Sequence, residues 1–262
     1  MGTVGHQFGS ASDDLSELPR YNRAQPAPAV GKGQAGGEMK ILLAIFSCHL
    51  YQYAAAGERD WFTRTTVDRI QGIRDSWLKD VTGDYKIFKG RSAGTPPPDE
   101  IWLDAGDDYH HSTEKIRKVI RYALDQGYDY ICKVDDDVWV YYDRLMENIP
   151  TSDYVGGGLG WEVASFSPGY TYWLSHRAME LLDKSPAGCW GEDRWVGEAL
   201  MRQRIRCTID NRYHLVKPTR TNQYISDAEL DRPNGWLTIH SLSPDQMRRH
   251  YASLHGDPVG QV

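Results

Sequence analysis

The sequence predicts an α/β fold in which a mostly parallel sheet is linked by crossover helices. Three observations lead there. Between residues 40 and 135, apolar runs of strand length alternate with segments whose apolar residues recur at helical spacing. The stretch 128–142 (YDYICKVDDDVWVYY) ends a buried-strand pattern in Asp135, Asp136 and Asp137. Open α/β sheets bind ligands just beyond the carboxyl ends of their strands, which is where such a triplet falls. Finally, no G-x-G-x-x-G follows the first apolar run, so an ordinary dinucleotide-binding fold is disfavoured.

Residues 1–38 are rich in Gly, Ala, Pro, Ser and Gln, and are expected to form a disordered tail. A single domain is expected over 39–255, with 256–262 a flexible C-terminal tail. The run 40–46 (KILLAIF) reads as the first strand. Residues 61–80 follow as a helix, with Val67, Ile70, Ile73, Trp77 and Leu78 on one face. Residues 85–89 are a short strand, and 90–98, with Gly94 and three successive prolines, a loop. Another strand, 101–103, ends at Asp104. Ser112 is the expected N-cap of a helix carrying Ile116, Val119, Ile120, Ala123 and Leu124, closed by Gly127. Tyr130, Ile131, Cys132 and Val134 then form the strand that delivers the aspartates. In the second half, 156–160 (GGGLG) reads as a turn and 170–174 as a strand. Residues 176–183 and 192–201 read as helices, the latter opening with Glu192 and Asp193. Beyond Cys207 the pattern is mixed.

The chain has 262 residues, 40% hydrophobic and 25% charged, enough for one sizeable domain or two small ones. Its net charge of −6 gives no global attraction to nucleic acid or anionic membranes. Nine Trp and sixteen Tyr could stack on sugars or bases, although most are expected in the core. Cys48, Cys132, Cys189 and Cys207 show no C-x-x-C spacing, which argues against a zinc site. Cys132 reads as a buried thiol, while Cys189 and Cys207 could pair in an oxidising compartment. No stretch approaches the ~20 apolar residues of a membrane helix, and the N-terminus lacks signal-peptide order. A soluble, cytoplasmic protein is expected.

Three adjacent carboxylates repel one another, so at the end of a buried strand they call for a cation. Hard oxygen ligands suit Mn²⁺ or Mg²⁺, and such ions usually also hold a substrate phosphate. A solvated acidic turn is the plainer alternative, and the apolar runs on both sides argue against it. Three more stretches stand beside the triplet: 69–77 (RIQGIRDSW), 191–197 (GEDRWVG) and 238–247 (TIHSLSPDQM). Taken singly, each has a plain reading. Acids are favoured at any helix N-terminus, and a lone His240 is more simply a packed or surface side chain.

In order along the chain, these stretches resemble the GT-A glycosyltransferases of family 31, which include the β-1,3-galactosyltransferases, the Fringe proteins and the core-1 synthase. RIQGIRDSW resembles the family's R-x-x-x-I-R-x-T-W, and LDAGDDYHHSTEK its D-x-D-x-Y-x-N-L-T-x-K. YICKVDDDVWV resembles F-x-x-K-x-D-D-D-x-F/Y-V, and SPGYTYWLS resembles G-x-G-Y-V-L-S. GEDRWVG resembles E-D-V-x-x-G, and TIHSLSPDQM the late S-F-H-x-x-x-P-x-x-M.

The resemblance implies a GT-A, Rossmann-like sandwich with a mixed, mostly parallel sheet flanked by helices. It implies a nucleotide-sugar donor, most often a UDP-sugar, with Mn²⁺ (or Mg²⁺) on the pyrophosphate. Asp135 and Asp137 would be the DxD pair, with Asp137 the more direct ligand and His240 completing the metal site. Asp135 and Asp136 would face the donor, together with Arg74 and Lys115, which either contact phosphate or pair with Asp104 or Asp107. Asp104 would meet uracil or ribose, and Lys133 would neutralise the triplet. Family members invert the anomeric centre, so Asp193 would be the base that deprotonates the acceptor hydroxyl. Glu192 is the alternative base, or orients the acceptor. Departures exist: no N-terminal membrane helix, Arg194 in place of Val after E-D, and no glycine pair before Tyr170. Acceptor identity therefore does not transfer.

Two other classes compete. A haloacid-dehalogenase-like phosphatase or phosphotransferase also places D-x-D after a buried strand, with Asp135 as nucleophile and Asp137 as acid–base. Against it, the triplet lies mid-chain and no downstream Lys and Asp pair stands out. A non-catalytic nucleotide-sugar binding module would leave Glu192 and Asp193 without chemistry. For a transferase, the acceptor is a glycan, a protein, a small molecule or, as a minority reading, a hydroxymethylated DNA base flipped from its duplex. The DNA reading rests on the basic run Arg202, Arg204, Arg206, Arg212, Lys217 and Arg220, which reads equally as a solvated face.

Overall fold

The computed structural model describes residues 39–48, 66–158, 166–188, 191–215, 225–226, 230 and 235–256. The expected tails at 1–38 and 257–262, the helical residues 61–65, turn residues 159–160, and Cys189, Lys217 and Arg220 lie outside them. The strands are β1 (Ile41–Phe46), β2 (Asp84–Lys89), β3 (Glu100–Trp102), β4 (Tyr130–Asp135), β5 (Trp139–Val140), β6 (Tyr154–Gly156), β7 (Thr171–Ser175), β8 (Thr208–Ile209), β9 (Tyr213–His214) and β10 (Thr238–Ile239). The helices are α1 (Thr66–Arg74), α2 (Ser112–Asp125), α3 (Tyr142–Glu147), α4 (His176–Asp183), α5 (Glu192–Arg202) and α6 (Pro244–His255).

Seven strands form one mixed sheet in the order β3-β2-β1-β4-β7-β6-β8. β3, β2, β1 and β4 are parallel, as the strand–helix alternation predicts. β7 is antiparallel to both β4 and β6, and β8 is parallel to β6. The sheet is thus mostly parallel with one reversed strand beside the acid triplet. A second, three-stranded sheet, β5-β10-β9, takes up the chain beyond the triplet.

Both faces of the large sheet are covered, which is why its central strands read as unbroken apolar runs. Leu43, Ile45, Cys132, Val134 and Trp173 face one core with Ile70, Ile73 and Trp77. Leu42, Ala44, Phe46, Ile131, Tyr172 and Leu174 face the other, with Ile116, Val119 and Ile120 of α2 and Trp195 and Val196 of α5. Trp77, Trp139, Trp173 and Trp195 are fully buried, so these indoles serve packing.

Three helix boundaries differ from the sequence expectation. The segment 66–80 is not one helix: Ser76 Oγ donates to the Gly72 carbonyl at 2.7 Å, and the chain continues as a 3₁₀ turn, Trp77–Asp80. A serine that bonds its own preceding turn competes with the helical ladder in this way. Ser112 is the first residue of α2 rather than its cap; His111 precedes it, with its N–H held by Asp108 Oδ1 at 3.1 Å. The far end behaves as expected. Gly127 takes φ +70, with Gly127 N–H on Leu124 O and Tyr128 N–H on Ala123 O, a Schellman closure. The third difference is α6, which the mixed C-terminal pattern concealed. Its start is a capping box, Ser243 Oγ accepting from Gln246 N–H at 3.2 Å and Gln246 Oε1 from Ser243 N–H at 3.1 Å. Against α1, Gly72 leaves room for Pro244: a Cβ on Gly72 would lie 2.7 Å from Pro244 Cβ. Among the described residues, no helix is long and apolar enough to cross a membrane.

Candidate active site

Side chains alternate along a strand, and this splits the acid triplet between the two sheet faces. Ile131, Lys133 and Asp135 project to the α5 side; Cys132 and Val134 project to the α1 side. After β4 the chain turns, Val138 N–H bonding Asp135 O at 3.2 Å, and Asp136 and Asp137 swing toward α1.

Asp136 is completely buried and fully engaged. Ser47 Oγ donates to its Oδ2 at 2.7 Å and Arg69 Nη1 to its Oδ1 at 3.0 Å. The donor-facing role expected for Asp136 does not match this position: it braces β1 and α1 against the turn. Asp136→Ala is therefore expected to cost about 3–5 kcal/mol of stability by leaving Arg69 without its buried partner. A urea denaturation midpoint would show the loss.

Asp137 is the acid that faces inward across the turn. Its Oδ1 lies 3.5 Å from His240 Nε2 and its Oδ2 3.5 Å from Arg69 Nη1. His240 directly follows β10, and Ser241 after it takes φ +67, an uncommon backbone for a residue with a Cβ. That kink lets Leu242 N–H reach Asp137 O at 2.9 Å while His240 turns its ring to the carboxylate. Nδ1 of His240 shares a 2.9 Å hydrogen bond with Ser241 Oγ, which fixes the ring orientation. Burial holds the His240 imidazole below its ordinary pKa, with Arg69 and Lys133 acting the same way against Asp137. The ring is thus neutral at pH 7. Burial opposes the Asp137 charge, yet His240 when protonated, and Arg69 throughout, outweigh it and hold the carboxyl below its usual range. With the imidazole neutral, Arg69 is the cation that remains beside it.

A carboxylate oxygen and a neutral imidazole nitrogen aimed at each other form a donor pair suited to Mn²⁺ or Mg²⁺. Such ions need only one or two protein ligands when substrate phosphates supply the rest. Among the described residues, no three His, Cys, Asp or Glu side chains converge as a ready-made metal cage. The three expected ligands divide instead: Asp137 and His240 face each other, while Asp135 Oδ1 is taken by Lys133 Nζ at 2.5 Å.

Lys133 is the hub on the other face. Its side chain is almost wholly buried, between the rings of Phe46 (4.8 Å) and Tyr172 (5.5 Å). Nζ donates to Asp135 Oδ1, to Glu192 Oε1 at 3.1 Å, and to the Gly169 carbonyl. Burial works against its charge, but Asp135 and Glu192 overcome that and hold the ammonium above its ordinary range. Burial pushes the Asp135 carboxyl up to about 7; Lys133 opposes the rise, and the charges of Glu192 and Asp137 add to it. The crowded acids thus raise the Asp135 carboxyl further, and Lys133 answers that repulsion only in part.

Glu192 and Asp193 open α5, where negative charge is favoured. Glu192 is buried on Lys133. Asp193 Oδ2 accepts from Gly169 N–H at 3.2 Å and Oδ1 from Arg194 N–H at 2.7 Å. Burial, then the neighbouring Glu192 charge, raise the Asp193 carboxyl above its ordinary value.

Other expected residues sit elsewhere. Arg74 forms a bidentate pair with Asp99 and a third bond to Glu100, not to Asp104 or Asp107. Five residues earlier on α1, Arg69 faces the triplet, and Arg74 falls on another face of the helix, against Asp99 and Glu100. Both arginines lie four residues from a buried isoleucine, Ile73 and Ile70, so apolar spacing alone does not distinguish them. Asp104 is 78% exposed and paired with Arg91, at the surface rather than lining the acid cluster. Lys115 is buried; its Nζ caps β1 through Ser47 O at 2.6 Å, with Asp107 Oδ1 at 3.7 Å. In the basic run, Arg202 pairs with Glu198, and Arg212 with Asp210 and Asn148. Cys132 is the buried thiol expected.

No family model matches this chain, and no curated protein sequence does. Its fold is similar to several solved structures. One is a protein assigned as a nucleotide-diphospho-sugar transferase from Desulfovibrio desulfuricans G20, at 14% identity over 66% of this chain and 80% of that one, TM-score 0.45. A second is a glycosyltransferase involved in glycosylation of the major capsid of PBCV-1, at 13% identity over 81% and 98%, TM-score 0.44. A third is a mutant Drosophila β1,4-galactosyltransferase 7 in complex with manganese, UDP-Gal and xylobiose, at 16% identity over 79% and 84%, TM-score 0.40.

Proposed function

We propose that this chain is an inverting, metal-dependent glycosyltransferase of the GT-A type, resembling family 31, that moves a sugar from a UDP-sugar to an acceptor hydroxyl. One observation carries the reading. A facing Asp137–His240 pair and an elevated carboxylate at the start of α5, Asp193, both adjoin the carboxyl end of β4. Held by Asp137 and His240, Mn²⁺ or Mg²⁺ would supply the positive charge that stabilises a nucleoside diphosphate leaving group.

The chain's own residues do the rest. Arg69 keeps Asp137 ionised and Ser241 orients the His240 ring. Asp193 takes the proton from the acceptor hydroxyl as that oxygen attacks. Glu192, held on Lys133, raises the proton affinity of Asp193 and so makes it a better base than a solvated aspartate. In the phosphotransferase reading Asp135 would be the nucleophile. Lys133 Nζ occupies one of its oxygens and burial raises its carboxyl to about 7, both of which disfavour it as a nucleophile. A binding module without catalysis leaves the raised Asp193 carboxyl without a task. Glycans, proteins, small molecules and modified DNA stand as acceptor classes, glycans first because Arg202 and Arg212 are already paired.

The test is UDP release from a panel of UDP-sugars with glycan acceptors, in Mn²⁺ and in EDTA. Release that needs both metal and acceptor supports the proposal; orthophosphate release from a phosphomonoester instead would overturn it. The rate should also show an acid limb. Asp193 must be ionised to act, and its pKa is raised, so activity falls as pH drops through a value above that of an ordinary aspartate. Glu192→Gln removes the repelling charge and is expected to move that limb to lower pH.

A further inference from the structure

The turn 167–170 meets Asp135, Lys133, Asp193 and His240. Its Tyr170 carbonyl accepts from Asp135 N–H at 3.0 Å, and the Tyr170 ring lies 5.1 Å from that of His240. The Gly169 carbonyl accepts from Lys133 Nζ, and Gly169 N–H donates to Asp193. The turn is itself anchored. Ser167 N–H donates to Tyr154 OH at 2.8 Å, and Ser167 Oγ to Thr171 O at 3.2 Å. An ammonium has three donors, and those of Lys133 go to Asp135, Glu192 and Gly169. Residue 169 has no space for a side chain, because a Cβ there would run into Glu192 Oε1.

We propose that Lys133 and Gly169 form a positioning link that sets the acid pair Glu192–Asp193 against Asp135 at the end of β4. The link rests on the reading of Asp193 as the base for sugar transfer. Neither residue touches the reacting atoms. Lys133 fixes Glu192 from one side, Gly169 fixes Asp193 from the other, and Gly169 joins the two by accepting from Lys133 through its carbonyl and donating to Asp193 through its N–H. An alanine at 169 displaces the Glu192 carboxylate, the movable end of a side chain, so the damage is local. It shifts Glu192 off Lys133 and carries Asp193 with it.

The experiment uses the full chain as wild type, Gly169→Ala, Glu192→Ala and the double variant. UDP binding with Mn²⁺ is measured by calorimetry, UDP release from UDP-sugars by turnover, and amide exchange at 169 and 192–194 by mass spectrometry. Gly169→Ala should keep UDP affinity within about threefold while lowering turnover about 100-fold, since a misplacement of about 1 Å carries that cost. Exchange of those amides should rise ~10-fold. In the Glu192→Ala background, adding Gly169→Ala should change little, because the collision is gone. Wild-type exchange and turnover in Gly169→Ala would overturn the link, as would the same loss with and without Glu192. Should wild type itself neither bind UDP nor release it, the transferase reading falls, and the exchange arm still decides the link. Lys133→Met is a second variant for the exchange arm, expected to unprotect the same amides.

Discussion

Replacing Asp137 by alanine is expected to abolish Mn²⁺-dependent binding of UDP, a loss of more than ~100-fold in affinity. Asp137 presents one oxygen to His240 Nε2 and the other to Arg69. No other acid of the triplet faces the imidazole in this way: Asp135 is bound by Lys133, and Asp136 by Ser47 and Arg69. The fold should survive the change. The hydrogen bond from Leu242 N–H goes to the main-chain oxygen of residue 137, and Arg69 keeps Asp136. Calorimetry of the variant with UDP, with and without Mn²⁺, separates the outcomes. Undiminished metal-dependent affinity would remove Asp137 from the metal site.

The second large effect is at Asp193. Asp193→Ala is expected to leave UDP and Mn²⁺ binding intact and to lower turnover by about 10²–10⁴-fold, the range for losing a general base. Asp193 lies on the α5 side of the sheet and the Asp137–His240 pair on the α1 side, so binding and chemistry should be separable. Full turnover in Asp193→Ala would transfer the base to Glu192 or to a residue not yet identified. The two variants have opposite signatures, one in affinity and one in rate, and neither mimics the stability loss expected of Asp136→Ala.

Much of this was legible in the residues. The parallel half of the sheet, the helix over 176–183 and the α5 start follow from periodicity and capping chemistry, because burial on one face leaves a period that can be read. The reversal at β7 was not legible, since its residues TYWLS would suit a strand of either direction. The two-residue strands β5, β8, β9 and β10 are too short to have a period. The helix α6 was missed in the mixed pattern beyond Cys207, although its start carries a local signal, S-P-D-Q, a capping box with proline in the first turn. At the site, the acid triplet was read as one unit, whereas a strand period of two already assigns Asp135 to the face of Lys133. That pairing needed the period applied to charged residues as strictly as to apolar ones, whereas Arg69 and Arg74 each lie four residues from a buried isoleucine and the period does not choose between them. The joining of Gly169 to both Lys133 and Asp193 depends on two distant segments meeting, and no local pattern carries it.

The central claim is that the end of β4 binds a nucleoside diphosphate through a metal. Calorimetric titration of the wild-type chain with UDP, in Mn²⁺ and again in EDTA, tests it most directly. The account predicts saturable binding in Mn²⁺ that disappears in EDTA. Equal binding in both, or none in Mn²⁺, would contradict it.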